Sequence, residues 1–337
     1  MPTKKQNSSV KKSICRQCWL PIKIVAVLMG MISMTTHTIA DDTRTETTGF
    51  AAALKNYFIS IPVLSEPDTD IRYVPSEVNG VASLMLIDSG ATSTVYSKNF
   101  AKKNKIKLKK HGVAHGAAGE VTSYKGDISS VSLGGVITFR QPVSLFIDLH
   151  TDSEITLNKK EYQLAGNLGY NMLSKLDLNF DVNKNQILMP DPDTDIEGGL
   201  WALLKQIDYQ KVDLKKTKKA CYLSVTIGDK KGYFKVDTGS SQTILFDKFT
   251  MGKDYKLVQE GGFVEAVGNK KIPIKMMLVN DFRFANLRIN VPMLVVPQDI
   301  SMIDEKPVMG VIGIGALGQL NAVVNFKKAA IYLPKHK

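Results

Sequence analysis

The chain has little cysteine, and its cysteines are unevenly placed. Only three of the 337 residues are cysteine, and Cys15 and Cys18 lie within the first 40 residues. A single C-x-x-C pair supplies half of a zinc site at most. Cys221 is the only cysteine after residue 40, so internal disulfides are excluded there. We therefore expect the fold to be stabilised by burial of apolar side chains.

No hydrophobic run is long enough to span a bilayer. The longest apolar stretch, Ile24 to Met34, has eleven residues, whereas a spanning helix needs roughly twenty. It follows a basic start and precedes Thr38-Ile39-Ala40, the layout of a secretory signal peptide. We predict a signal peptide at residues 1–40, cleaved after Ala40, in preference to an uncleaved anchor. Export without disulfides favours a periplasmic or secreted bacterial protein, with no stable membrane anchor after cleavage.

Residues 1–40 also lack acidic side chains, and this explains half of the formal net charge of +12. The remaining residues contain 38 basic and 32 acidic side chains, an ordinary balance that predicts no nucleic-acid partner. Histidine is scarce too: none of the five lies in H-E-x-x-H. No G-x-S-x-G nucleophile turn is present. We expect no metal, no cofactor and no serine-hydrolase chemistry.

What the chain does have is an internal repeat. Residues 86–95 (LIDSGATSTV) align with residues 235–244 (KVDTGSSQTI), 149 positions later. A second pair of segments, 168–190 and 312–334, aligns without a gap. Asn79-Gly80 and Gly228-Asp229 predict a hairpin turn before each copy of the first segment. Two blocks repeated in the same order indicate two homologous lobes.

Most other segments are short, strand-like and bounded by Gly, Asn or Asp, for example 121–124, 128–133, 136–139 and 143–147. This pattern predicts an all-β fold of two barrel-like lobes. We place the first lobe at 72–190, a linker at 191–207 and the second lobe at 208–337. Residues 41–71 are either an activation segment or an extension that packs with the lobes. Short helices are expected at 49–58, 97–105, 200–207 and 247–251.

Each repeat contains one Asp-Ser/Thr-Gly motif, which provides Asp88 in the first lobe and Asp237 in the second. Two carboxylates held within hydrogen-bonding distance share one proton, because both cannot ionise cheaply. One is then a base and the other an acid. Such a pair can activate a water for attack on a peptide carbonyl without a metal or a covalent intermediate.

The residues beside each aspartate also suit a shared site. Glycine allows the backbones of two loops to approach closely, and a small hydroxyl can hydrogen-bond across to the opposite loop. These loop-locking residues are Ser89, Gly90, Thr238 and Gly239.

Over residues 76–337 the chain resembles the pepsin and retropepsin group of aspartic peptidases. The resemblance rests on a hydrophobic strand entering each Asp motif and on a later hydrophobic-hydrophobic-Gly element, at 167–169 and at 311–313. It implies lobes related by a pseudo-twofold axis, with a substrate cleft between them covered by a mobile β-hairpin flap. The flap candidates are His115, Gly116, Gly119, Tyr124 and Gly268.

Three positions bear on this resemblance. Asn167 occupies a place where the family has an aliphatic residue, which affects how the first Asp loop is supported. Lys235 lies in a strand expected to be buried and is predicted to point outward, since Phe234 and Val236 alternate with it. The Ser240 hydroxyl is expected to donate to the neighbouring carboxylate, which Ala91 in the first lobe cannot do.

We expect an aspartic endopeptidase that acts as a monomer on peptide or protein substrates, with a mildly acidic optimum. The alternative is a catalytically silent module that binds peptides or proteins on the same fold. A structural envelope protein is a further rival, but it would not need paired Asp loops.

Overall fold

The computed structural model describes residues 50, 52–65, 70–116, 119–149, 154–250, 255–266, 270–285, 287–297, 302–303 and 305–335. The predicted signal peptide and the flap candidate Gly268 lie outside these residues. Contacts divide the chain into Met1–Arg44 and Thr45–Lys337, and both repeats belong to the second unit. No helix among the described residues is long and apolar enough to cross a membrane.

Twelve strands belong to the first repeat. In chain order they are β1 (Phe58–Pro62), β2 (Leu64–Ser65), β3 (Arg72–Val78), β4 (Val81–Asp88), β5 (Val95–Ser97), β6 (Lys109–Gly116), β7 (Gly119–Leu133), β8 (Ile137–Ile147), β9 (Glu154–Leu157), β10 (Lys160–Gly169), β11 (Asn179–Asp181) and β12 (Gln186–Pro190).

The second repeat provides twelve strands in the same order. They are β13 (Tyr209–Asp213), β14 (Lys215–Lys216), β15 (Cys221–Ile227), β16 (Lys230–Asp237), β17 (Ile244–Phe246), β18 (Tyr255–Ala266), β19 (Lys270–Phe284), β20 (Leu287–Val296), β21 (Met302–Ile303), β22 (Lys306–Gly313), β23 (Val323–Asn325) and β24 (Ala330–Pro334).

The helices of the described residues are short. They are α1 (52–57), α2 (Lys98–Lys103), α3 (Tyr170–Leu173), α4 (Leu200–Leu204) and α5 (Ile314–Gln319), with 3-10 turns at Lys205–Ile207 and Asp247–Phe249. Ser97 caps α2, because its hydroxyl accepts the Phe100 N–H. The four helical segments predicted from the sequence are therefore confirmed. The helices α3 and α5 were not predicted.

Each repeat folds its strands into a closed barrel. In the first, neighbouring strands follow the order β3-β4-β10-β5-β8-β7, and β7 pairs back onto β3. In the second, the order is β15-β16-β22-β17-β20-β19, and β19 pairs back onto β15. The two orders correspond strand by strand. The predicted all-β fold with two homologous barrel-like lobes is confirmed.

A six-stranded sheet joins the lobes and contains three strands from each, in the order β1-β12-β11-β23-β24-β13. At its centre β11 and β23 are antiparallel, and Phe180 pairs with its repeat equivalent Val324. Asn179 pairs with Asn325, and Asp181 pairs with Val323. Exchanging the two repeats leaves this register unchanged, which is the pseudo-twofold relation that the sequence predicted.

Part of the 41–71 segment belongs to this framework. Residues 58–62 form β1, which pairs with β12 over five residues at one edge of the central sheet. Its equivalent at the opposite edge is β13. The strand Phe58–Pro62 is therefore part of the sheet that joins the lobes.

The predicted hairpin turns form because their residues tolerate left-handed backbone. Asn79 has φ 52° and Gly80 has φ 79°, as a tight hairpin turn requires. The Asn79 side chain also joins neighbouring strands: its Oδ1 accepts from the Ser129 N–H at 2.7 Å and the Ser130 N–H at 3.2 Å. This turn therefore anchors the β3–β4 hairpin to β7.

Several strands are longer than predicted. The segments expected at 121–124 and 128–133 are one strand, β7, and those at 136–139 and 143–147 fall in β8. The β7–β8 pairing shifts register between Gly126 and Ile128 and again before Val131. A register shift interrupts the alternation of apolar and polar residues, so one bent strand looks like two short ones in the sequence.

Candidate active site

The two aspartates end equivalent strands. Asp88 is the last residue of β4 and Asp237 the last residue of β16. Each of these strands runs parallel to a neighbour that ends in glycine, so that Asp88 pairs with Gly169 and Asp237 with Gly313. The chain turns sharply after each aspartate. This geometry brings both carboxyl groups to the junction of the lobes.

The carboxylates face each other across two glycines. A methyl group at Gly90 would lie 2.0 Å from Asp237 Oδ2, and one at Gly239 would lie 2.6 Å from Asp88 Oδ1. Neither distance is compatible with a side chain, so close approach of the loops requires glycine at both positions.

Reciprocal hydrogen bonds hold the loops together. The Ser89 hydroxyl donates to the Val236 carbonyl at 2.9 Å, and the Thr238 hydroxyl donates to the Ile87 carbonyl at 2.7 Å. Each hydroxyl also accepts the main-chain N–H of the other residue at 3.0 Å. Ser89 and Thr238 are both fully buried. Their polar groups are therefore satisfied only while the two lobes remain together.

Main-chain donors orient the carboxylates. The Ala91 N–H donates to Asp88 Oδ1 at 2.9 Å, and the Gly239 N–H donates to Asp237 Oδ1 at 2.9 Å. Burial, followed by the negative charge of Asp88, raises the pKa of Asp237 to about 6, although the nearby Lys235 cation and main-chain N–H groups oppose this. The pair is therefore arranged to keep a proton in mildly acidic solution.

The hydrophobic-hydrophobic-Gly elements support the loops from behind. The Gly169 N–H donates to the buried Thr94 hydroxyl at 3.0 Å, and the Gly313 N–H donates to the buried Thr243 hydroxyl at 3.4 Å. A side chain at Gly169 would lie 2.4 Å from the Ser93 main chain. Each Asp loop therefore rests on the backbone of the strand behind it.

Asn167 has a contact that the sequence pattern did not predict. Its Nδ2 donates to Asp88 Oδ2 at 2.8 Å. The support of the first loop is therefore polar at this position as well as apolar. The sequence indicated an unusual position here, because Asn167 is polar in a strand expected to be aliphatic. Only the structure shows that its amide points to Asp88.

The prediction that Lys235 points outward is wrong. This half-buried side chain reaches across to the other lobe, where its Nζ donates to the Gly90 carbonyl oxygen. Lys235 does alternate with the buried Phe234 and Val236. The face of the strand opposite the core is covered here by the Asp loop of the first lobe. Lys235 thus brings a cation to the carboxylate pair.

The expectation for Ser240 is also wrong. Its hydroxyl donates to the Gln242 carbonyl oxygen at 2.8 Å instead of to Asp237. The tight turn after Gly239 directs this side chain back onto its own loop. The Ser240 main chain, not its hydroxyl, contributes to the stabilisation of ionised Asp237.

The flap candidates of the first lobe lie on one hairpin formed by β6 and β7. His115 pairs with Glu120, and Gly116 pairs with Gly119 next to the tip. Tyr124 lies further along β7, with the Lys98 ammonium 5.0 Å from the centre of its ring. The second lobe has the equivalent long hairpin, β18–β19.

Among the described residues, no group of three or more His, Cys, Asp or Glu side chains is placed to bind a metal ion.

One part of the chain matches a known protein family. Residues 74–172 match the family model described as aspartyl protease. The crystal structure of basic 7S globulin from soybean is similar with 10% sequence identity and a TM-score of 0.41, covering 82% of this chain and 94% of that chain. No curated protein sequence is significantly similar to the chain. The family match thus covers most of the first lobe, and the second lobe repeats the strand order and the Asp loop of the first.

Proposed function

We propose that the protein is an aspartic endopeptidase that hydrolyses peptide bonds with Asp88 and Asp237. One observation carries the proposal: the two carboxylates face each other across glycines that could carry no side chain. A module that only binds peptides does not need two acidic groups that must share a proton. Paired carboxylates in this arrangement are suited to moving protons to and from a water molecule.

The proposed reaction begins with one proton on the pair. The ionised carboxylate takes a proton from a water bound between the two groups, and the water oxygen attacks the peptide carbonyl carbon. The protonated carboxyl donates its proton to the carbonyl oxygen, which gives a neutral tetrahedral diol. Collapse of the diol breaks the C–N bond: the amine nitrogen takes the proton from the carboxyl that received it, and a diol hydroxyl gives its proton to the other carboxylate, so that one proton is again on the pair.

Extended peptides are the substrates that suit this site. The outer strands of the two long hairpins, β6 and β18, lie at the ends of their sheets. An extended peptide can be recognised through its main-chain groups by such strands, while pockets select its side chains. We propose that the β6–β7 hairpin, with His115, Gly116, Gly119 and Tyr124, closes over bound substrate.

The test is cleavage of a diverse peptide mixture by the purified protein from pH 3 to 8, with new termini identified by mass spectrometry. Asp88→Asn and Asp237→Asn are the matched controls, because they keep the shape of each side chain and remove its acid–base chemistry. Each should reduce cleavage by about 10²–10⁴-fold. Equal cleavage by the parent and both variants would refute the role of the pair.

A second outcome would favour the alternative function. If the parent cleaves nothing at any pH but retains peptides, and both variants retain the same peptides with similar affinity, the protein is a binding module on this fold. Isothermal titration with a retained peptide distinguishes this result from a misfolded preparation.

We also propose that the protein is exported and acts as a monomer. The basis for export is the signal-like layout of residues 1–40. Amino-terminal sequencing of protein from the periplasm or medium should begin at Asp41. Full-length protein that stays in the cytoplasm would contradict export, and light scattering would reveal a dimer.

A further inference from the structure

The two carboxylates differ in their side-chain hydrogen bonds. Both oxygens of Asp88 accept a hydrogen bond: Oδ1 from the Ala91 N–H at 2.9 Å and Oδ2 from the Asn167 amide at 2.8 Å. The main-chain donor has counterparts in the second lobe, where the Gly239 N–H donates to Asp237 Oδ1 at 2.9 Å and the Ser240 main chain also stabilises ionised Asp237. The amide donor at Asn167 has none.

The repeat shows why the second lobe lacks this donor. Asn167 pairs with Leu86 in the first lobe, and at the equivalent place in the second lobe Val311 pairs with Lys235. A valine side chain cannot donate a hydrogen bond. The two otherwise equivalent loops thus differ at one strand position directly behind the carboxylates.

In the contact between Asn167 and Asp88 the amide is the donor, and this affects which form of the carboxyl group is stabilised. An amide N–H stabilises a carboxylate oxygen that carries no proton, and hydrogen bonds to an ionised acceptor are stronger than those between neutral groups. Such a donor therefore favours the ionised form of the carboxyl group that accepts it. When two carboxyl groups share one proton, stabilising one as the anion moves the proton to the other.

We propose that Asn167 is a positioning residue that keeps Asp88 ionised and so holds the shared proton on Asp237. The inference rests on the proposed peptidase function and deepens it by assigning the roles. Asp88 is the base that takes the proton from water, and Asp237 is the acid that protonates the peptide carbonyl oxygen.

The electrostatics of the site agree with this assignment. The pKa of Asp237 is raised by burial and by the negative charge of Asp88, as expected for the group that keeps the proton. Lys235, also at the dyad, opposes this rise, so it does not create the asymmetry. Among the described residues, Asp88 and Lys235 are the charged side chains that act on Asp237.

The first experiment compares the pH dependence of kcat/KM for the parent, Asn167→Val and the double variant Asn167→Val/Val311→Asn. Valine is the residue that the second lobe uses at this position. Loss of the amide should shift the acidic limb of the profile to higher pH by about one unit, since a hydrogen bond to a charged group changes its pKa by about this amount. The basic limb should change much less, because both states across that limb contain ionised Asp88.

The second experiment locates the proton directly and does not depend on activity. In the full chain labelled with ¹³C at the Asp side-chain carboxyl carbons, the parent at about pH 5 should show Asp237 as the acid form and Asp88 as the carboxylate. Asn167→Val should spread the proton over both groups, and the double variant should place it on Asp88. Single Asp→Asn variants assign the two resonances.

The outcomes separate this inference from the proposed function. An equal loss of kcat/KM at every pH, with unchanged carboxyl resonances, would overturn the inference and leave a merely structural role for Asn167. Carboxyl resonances that respond as expected in a protein that cleaves nothing would support the inference and refute the peptidase. Unchanged resonances in an inactive protein would overturn both.

Discussion

At the scale of single residues, the site depends on two glycines that have no side chain and on two buried hydroxyl groups. Glycine matters at Gly90 and Gly239 because the carboxylate of the other lobe occupies the space of a side chain. Ser89 and Thr238 matter because their hydroxyls link loops 149 residues apart in the sequence. The chemistry at Asp88 and Asp237 rests on these four neighbours.

Gly90→Ala should reduce cleavage by about 10²-fold while the protein remains folded. The added methyl group would lie 2.0 Å from Asp237 Oδ2 and would push the carboxylates apart. Displacement of a reacting group by about 1 Å costs on the order of 10²-fold in rate. The measurement is kcat/KM alongside circular dichroism.

Gly318→Ala is the control, since a methyl group there would make only an ordinary contact, 3.5 Å from Val182 Cγ1. A Gly90→Ala variant with parental activity would mean that the loops separate easily, against the close approach described above.

Peptide cleavage should fall as the pH rises through about 6. This is the pKa to which burial and Asp88 raise Asp237, and above it the pair loses the proton that the reaction needs. Lys235→Leu, which copies Leu86 of the first lobe, should move the fall to higher pH because a nearby cation favours the ionised carboxylate. If cleavage by Lys235→Leu falls at the same pH as cleavage by the parent, Lys235 acts only through its contact with the Gly90 carbonyl.

Folding stability should change over the same pH range. The folded protein holds the Asp237 proton up to about pH 6, whereas an unfolded carboxyl releases it near pH 4. The stabilisation is complete below about pH 4 and is lost as the pH rises through 6, by up to about 3 kcal/mol. Urea unfolding at pH 4 and 7 should show this loss in the parent but not in Asp237→Asn. An equal loss in both would assign it to other groups.

At the scale of elements, much of the secondary structure could be predicted because local chemistry specifies it. Asn-Gly gave the first hairpin turn through its left-handed backbone, and Ser97 gave the start of α2 through its hydroxyl. The helix α3 was missed for the opposite reason. It has only four residues, and it begins where the Tyr170 N–H donates to the Ala91 carbonyl of the Asp loop. A contact distant in sequence leaves no local pattern.

Asn79→Ala should destabilise the first lobe by about 1–3 kcal/mol. The substitution removes the acceptor for the Ser129 and Ser130 N–H groups and leaves alanine at φ 52°. Denaturant unfolding measures the loss.

Asn79→Gly separates the two causes, because glycine tolerates this backbone but provides no acceptor. We expect an intermediate stability. A stability equal to that of Asn79→Ala would assign the whole effect to the lost hydrogen bonds.

At the scale of the whole molecule, the central sheet and the locked loops make the two lobes interdependent. The Asn325 amide of the second lobe donates to Asp177 Oδ1 at 2.7 Å and to Asn179 Oδ1 at 2.9 Å in the first lobe. Asn325 is fully buried. These bonds lie at the pseudo-twofold axis, in the sheet that both lobes build.

Asn325→Ala should therefore destabilise the whole protein by about 2–4 kcal/mol, because it leaves buried polar partners unsatisfied. The matched control is Lys328→Ala, which removes a more exposed ion pair to the same Asp177, at 3.6 Å. The control should cost less than about 1 kcal/mol. Thermal unfolding of both variants should show a single transition, and two separate transitions would mean that the lobes unfold independently.

The sequence by itself determined the two-lobed β architecture and the identity of the paired aspartates. A repeat shows directly in residue order, and a turn that needs left-handed backbone shows in residue type. Which side chains lie beside those aspartates was decided only by the tertiary structure. The directions of Asn167 and Lys235 depend on which strand or loop from a distant part of the chain lies against them. That information lies in contacts between residues about 80 to 145 positions apart, which no local pattern encodes.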